Sequence, residues 1–186
     1  MWWLNIPVRQ LVRLALTLAI AGLAGGCFQP LYGDRSPTGA PGIRDSLSAV
    51  EVTPIAAPSG TPLARVGVEV RNGLLFELTG GGAAASPTHR LNIRLAAQGL
   101  SVIVDVHSAR PDMQNYGIDA FYTLTELTSN KVVVKGQTFS RVSYDIPGQQ
   151  QRFAGARGLR DAENRAAKVI SDQIKSRLAS YFTAGT

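Results

Sequence analysis

Between Gly158 and Phe182 the apolar residues Ala162, Ala166, Val169, Ile170, Ile174, Leu178 and Tyr181 recur mostly at intervals of three and four. That spacing collects them on one stripe of an α-helix. A helix with a single apolar stripe needs a second layer to bury it. Asp161 with Arg165, four apart, and Asp172 with Lys175, three apart, fall on the wet side. The expected second layer is a sheet, because most of the remaining apolar residues alternate.

Ser46 to Ile55, "SLSAVEVTPI", alternates weakly and is stopped by Pro54, so it reads as a first strand. Thr61 followed by Pro62 is a helix start: the hydroxyl accepts from an orphan amide, and proline at the first helical position loses no bond. Leu63, Val66, Val70, Leu74 and Leu78 then keep helical spacing for too long a run to be an ordinary strand. Gly80 to Ser86 is a flexible connection and not a phosphate loop, since its glycines follow the helix and no lysine comes next. His89 to Val106 alternates and changes parity near Gly99, which reads either as one strand with a bulge or as two strands. Ser108 to Gly117 reads as a turn or loop. Phe121 to Leu127 and Lys131 to Tyr144 form a hairpin around Thr128-Ser129-Asn130. The order is strand, helix, three or four strands, helix: an α+β fold with helices on one face of a mostly antiparallel sheet.

The other end of the chain is built differently. Arg9 and Arg13 precede an uncharged run of 13 residues, Leu14 to Gly26, which ends at Cys27. Such a run is too short to span a bilayer but has the regions of an export signal. The only cysteine, directly after Ala-Gly-Gly, resembles the lipobox of bacterial lipoproteins, whose thiol is acylated. That resemblance makes Cys27 the lipid attachment point and gives residues 1–26 as signal peptide. Phe28 follows it in place of the aspartate associated with inner-membrane retention, so the implied destination is the periplasmic side of the outer membrane. Pro30, Pro37 and Pro41 make residues 27–46 a tether, and 47–186 a single domain.

Removing the leader lowers the net charge from +6 to +4. The basic residues form no block or nucleic-acid motif, so nucleic acid is not an expected partner. One cysteine and two histidines leave no metal or cofactor site of recognised spacing. Asp105 and His107 share a strand parity, but a hydrolase would also need a serine on a strained elbow, and no G-x-S-x-G occurs. No enzyme is expected. Arg90 and Arg94 share one strand face, and Lys131, Lys135 and Arg141 lie on the hairpin. They read either as a solvated face or as a basic surface for the phosphates of an acidic glycolipid.

"CFQPLYG", "VRNGLLFELTG", "HRLNIRL", "FYTLTELTSNKVVVKGQ" and "DAENRAAKVISDQIKSRLASYF" occur in this order. Together they resemble the LPS-assembly lipoprotein LptE family in its alphaproteobacterial form. The resemblance implies two helices packed on a four-stranded sheet and a non-enzymatic role as a plug in the LptD β-barrel, delivering lipopolysaccharide to the outer leaflet. Because aromatic residues favour such interfaces, Phe28, Leu31 and Tyr32 are expected to contact membrane or barrel wall. Arg90, Arg94, Lys131 and Lys135 become candidate lipopolysaccharide contacts by charge. The rival reading is an independent outer-membrane lipoprotein that binds envelope components.

Overall fold

The computed structural model describes residues 42–104, 111–145 and 152–184. Residues 1–26, read as a signal peptide, and Cys27, Phe28, Leu31, Tyr32, Asp105 and His107 lie outside the described residues. In chain order the elements are α1 (Ile43–Ser48), β1 (Val50–Val52), α2 (Pro62–Thr79), β2 (His89–Val104), β3 (Pro111–Glu126), β4 (Val132–Asp145) and α3 (Arg152–Ala184). The strands form one sheet in the order β1-β2-β3-β4. β1 runs parallel to β2, and the other pairs are antiparallel. The α+β class is the expected one: two long helices pack on a mostly antiparallel four-stranded sheet, with the short α1 added.

Alternation puts one set of side chains from each strand under the helices. Leu91, Ile93 and Leu95 of β2 join Ile118, Ala120, Tyr122 and Leu124 of β3 and Val134 and Val142 of β4 in the core. From above, α2 contributes Val66, Val70, Leu74 and Leu78, and α3 contributes Ala162, Ala166, Ile170, Ile174 and Leu178. Burying each of the larger side chains stabilises the fold by about 1.5–3 kcal/mol. The two helices meet where Gly73 faces Ser171, whose Oγ would stand 3.0 Å from a Cβ at position 73. The buried Ser171 hydroxyl is satisfied by main-chain carbonyls, Val70 at 3.2 Å and Ala167 at 3.0 Å. A glycine that weakens α2 as an isolated helix therefore sets its contact with α3. The start of α2 is as expected, with Thr61 Oγ1 accepting from the Ala64 amide at 3.3 Å and Pro62 behind it.

Several expectations need correcting. The first strand does not begin at Ser46: Ile43–Ser48 is helical, and only Val50–Val52 pairs with β2. Leu47 reaches the core from α1, and the Ser46 hydroxyl bonds the Gly42 carbonyl one turn back, so the apparent alternation hid a helical turn. Helix α1 thus takes up part of the stretch read as tether. Residues 111–117 are strand and not loop, because β3 continues the ladder with both neighbours. At Gly99 the pairing of β2 is unbroken, opposite Tyr116, and the irregularities fall at Ser101, Ile103 and Val104. α3 begins at Arg152, several residues before the periodic stripe. Val169 is 38% exposed and belongs off that stripe. Lys175 is turned toward α2 and not fully to the wet side: its side chain is 24% exposed and donates to Glu77 Oε2 at 2.6 Å, while Lys168 lies 3.6 Å from Asp172.

Candidate functional site

Both long helices lie on one side of the sheet, and among the described residues no element covers the other side. Parity brings Asn92, Arg94 and Ala96 of β2 to this face, with Thr123, Phe121 and Asp119 of β3 and Lys135, Gln137 and Phe139 of β4 in register beside them. Arg94 lies opposite Phe121, and Lys135 opposite Thr123. Phe121 is 44% and Phe139 62% exposed, so two large rings stand in water on this surface.

The five basic residues differ in how far they are committed. Arg90 donates through Nε to Glu51 Oε2 of β1 at 2.9 Å. Arg141 lies across Gly117 on the next strand, where a Cβ would stand 2.8 Å from its Cδ. Its Nη2 donates to Asp119 Oδ1 at 3.1 Å, and its Nη1 to the carbonyls of Ser140 at 3.1 Å and Ile118 at 3.3 Å. The same guanidinium is 5.4 Å from the Phe139 ring centroid, a cation–π arrangement. Lys131 is off the sheet, in the turn, where its amide donates to Ser129 Oγ at 3.3 Å. Among the described residues Arg94 and Lys135 have no acidic partner, and both are exposed. Two strand spacings, roughly 10 Å, separate them across the sheet.

The structure therefore places Arg90, Arg94 and Lys135 on one face and Lys131 beside it. It adds Phe121 and Phe139, which charge counting passed over. Phe121 is outward because its neighbour Tyr122 is in the core, and Phe139 lies opposite Asp119 on the same face. This surface offers point charge, a bidentate guanidinium and flat apolar rings. Such a set suits an amphipathic anion better than proton transfer. No group of three or more metal-ligating side chains occurs among the described residues, and no described helix is long and apolar enough to cross a membrane.

His89, at the start of β2, packs edge-on against Tyr181 and Phe182 of α3, with centroids 6.3 and 5.2 Å away, and its Nδ1 is 2.9 Å from Thr88 Oγ1. Burial holds the imidazole below its ordinary pKa of about 6.5, with the Glu126 carboxylate acting the other way. The folded chain thus binds this proton less readily than the unfolded chain. The stability linked to His89 is complete above about pH 6.5 and declines as the unfolded chain takes up the proton below it. Thermal melts between pH 7.5 and 5 are expected to show a loss that His89→Phe removes. An identical slope in the variant would assign that loss elsewhere.

No family model and no curated protein matches the chain. Solved structures do. A candidate lipoprotein from Caulobacter crescentus CB15 is 21% identical with a TM-score of 0.60, over 77% of this chain and 97% of that one. Rare lipoprotein B from Shewanella oneidensis is 12% identical with a TM-score of 0.51, over 73% and 96%. An uncharacterized lipoprotein B from Nitrosomonas europaea is 14% identical with a TM-score of 0.51, over 73% and 86%. At these identities the likeness is one of fold, and the fold of this chain is the one these bacterial lipoproteins share.

Proposed function

We propose that the protein is a lipid-anchored, non-enzymatic subunit of the lipopolysaccharide transport machinery, held by Cys27 at the periplasmic side of the outer membrane and seated in the LptD β-barrel. The fold it shares with rare lipoprotein B and other bacterial lipoproteins is compatible with a lipid-anchored envelope protein. The observation that carries it is the open sheet face: Arg94 and Lys135 carry no acidic partner among the described residues, with the exposed rings of Phe121 and Phe139 beside them. Phosphates of a glycolipid would meet the cations, and its sugar or acyl surface would meet the rings. Phe28, Leu31 and Tyr32 would lead the chain from the anchor to the barrel.

Changing Arg90, Arg94, Lys131 and Lys135 together to glutamine is expected to weaken lipopolysaccharide binding by the purified domain roughly tenfold or more at low salt, with less effect at high salt. Arg94→Gln with Lys135→Gln should account for most of the loss, since Arg90 already has a carboxylate. Unaltered binding would reject the face as the glycolipid site. Affinity purification from outer membranes should recover a large barrel protein; recovery of other envelope components in its place would favour the independent binding module.

A further inference from the structure

Past Leu91, no strand among the described residues lies beside the outer edge of β2. β1 pairs only with His89, Arg90 and Leu91. Thr53 adds one bond, its amide donating to the Leu91 carbonyl at 3.1 Å, and Pro54 follows. Peptide groups alternate sides along a strand. The amide of His89 and the carbonyl of Leu91 face β1, so those of Ile93, Leu95 and Ala97 face the same way. Among the described residues β2 has no other strand on that side. The far edge of the sheet differs, because Arg165 of α3 reaches β4 and donates to the Ser143 carbonyl at 3.2 Å. Sheets commonly protect a free edge with proline, lysine, a bulge or a covering segment. From Asn92 to Gln98 there is neither proline nor lysine, and the pairing irregularities lie further on, at Ser101 to Val104.

β1 shows what this edge accepts. Val50 and Val52 turn into the core, Glu51 pairs with Arg90, and the Thr53 hydroxyl lies 3.1 Å from Asn92 Oδ1. The chain then leaves. The next residue on that face is Arg94, and among the described residues no acidic residue stands opposite it. We propose that the β2 edge from Ile93 to Gln98 is a strand-addition site for an extended acidic segment of a partner protein, its apolar residues turned toward the helices and a carboxylate opposite Arg94. Main-chain bonds would supply affinity, and the Arg94 pairing would select acidic segments. A second copy of this chain offers this edge no carboxylate, because the β2 edge from Asn92 to Gln98 has no acidic residue to set opposite Arg94. Arg94 also belongs to the glycolipid face, so a captured carboxylate would compete there with phosphate; the edge itself does not rest on the proposed function.

The probe is a capped octapeptide repeating Val-Glu-Val-Thr, the sequence of Val50–Thr53, set against the same peptide with lysine for glutamate. The acidic peptide is expected to slow hydrogen exchange at the Leu95 and Ala97 amides, and the lysine peptide to leave it unchanged. Ala97→Pro removes one outward amide without touching the β2–β3 ladder. It should lower acidic-peptide affinity at least tenfold while leaving the melting temperature and lipopolysaccharide binding as they were, which separates this edge from the glycolipid face. Exchange unchanged at millimolar acidic peptide overturns the proposal, as does equal protection by both peptides. Protection that appears without peptide as protein concentration rises would assign the edge to self-association and also overturn it. If Ala97→Pro fails to fold, the exchange comparison on the unmodified protein decides alone.

Discussion

Arg65→Met is expected to destabilise the protein by about 3 kcal/mol, and adding Glu163→Leu to recover most of that loss. Glu163 is on α3 beneath α2, and its side chain is only 4% exposed. Arg65 Nη2 meets its Oε2, and Arg65 Nη1 donates to Asn164 Oδ1 at 3.0 Å. Removing one partner of a buried pair leaves a charge that water cannot reach, which costs about 3–5 kcal/mol, whereas an apolar replacement of both is often near neutral. The low end applies because the Arg65 side chain is 37% exposed and the pair is partly hydrated. The same guanidinium acts on Tyr116, whose buried hydroxyl has no hydrogen-bond partner among the described residues. Burial raises the pKa of that phenol, and Arg65 pulls it back down. Urea titration should move the midpoint of the single variant with little change in slope and return it in the double. If the double variant were as unstable as the single, lost packing of the arginine stem would be the cause in place of the stranded carboxylate.

The contact between α2 and α3 also shows what a single sequence can and cannot reveal. The stripe from Ala162 to Leu178 was legible because each helix is periodic by itself, and the start of α2 was legible because a threonine cap followed by proline acts locally. Val169 was misassigned, since apolar character alone does not tell the edge of a stripe from its centre. Lys175 was read on the wet side with Asp172, three residues away, but its partner Glu77 lies across the helix interface in space, and no local rule finds it. β3 was read too short for a similar reason. The stretch from Met113 to Gly117 carries no strand signal of its own and is held in the sheet by neighbours on both sides. The basic face was legible in outline, because alternation places Arg90 and Arg94 together. Which of its cations are already paired was not, as the partners Glu51 and Asp119 come from other strands.

Under the proposed function, replacing residues 1–27 by a cleavable export leader without a cysteine is expected to move the folded domain from the membrane fraction to the soluble periplasmic fraction. Each buried methylene contributes about 0.8 kcal/mol, so one acyl chain holds a protein only reversibly while two or more hold it firmly. The described fold begins at Gly42, 15 residues after Cys27. A chain of that length spans at most about 50 Å, so an acylated Cys27 would keep the open sheet face close to the membrane surface without taking part in its chemistry. Anchoring and binding are then separable: the released domain should keep its melting temperature and its affinity for lipopolysaccharide while losing the membrane. Mass spectrometry of the unmodified protein should find acyl chains on Cys27 at the mature amino terminus. A bare thiol there, or a released domain that still sedimented with membranes after a salt wash, would transfer the holding role from the lipid to the protein's own surface.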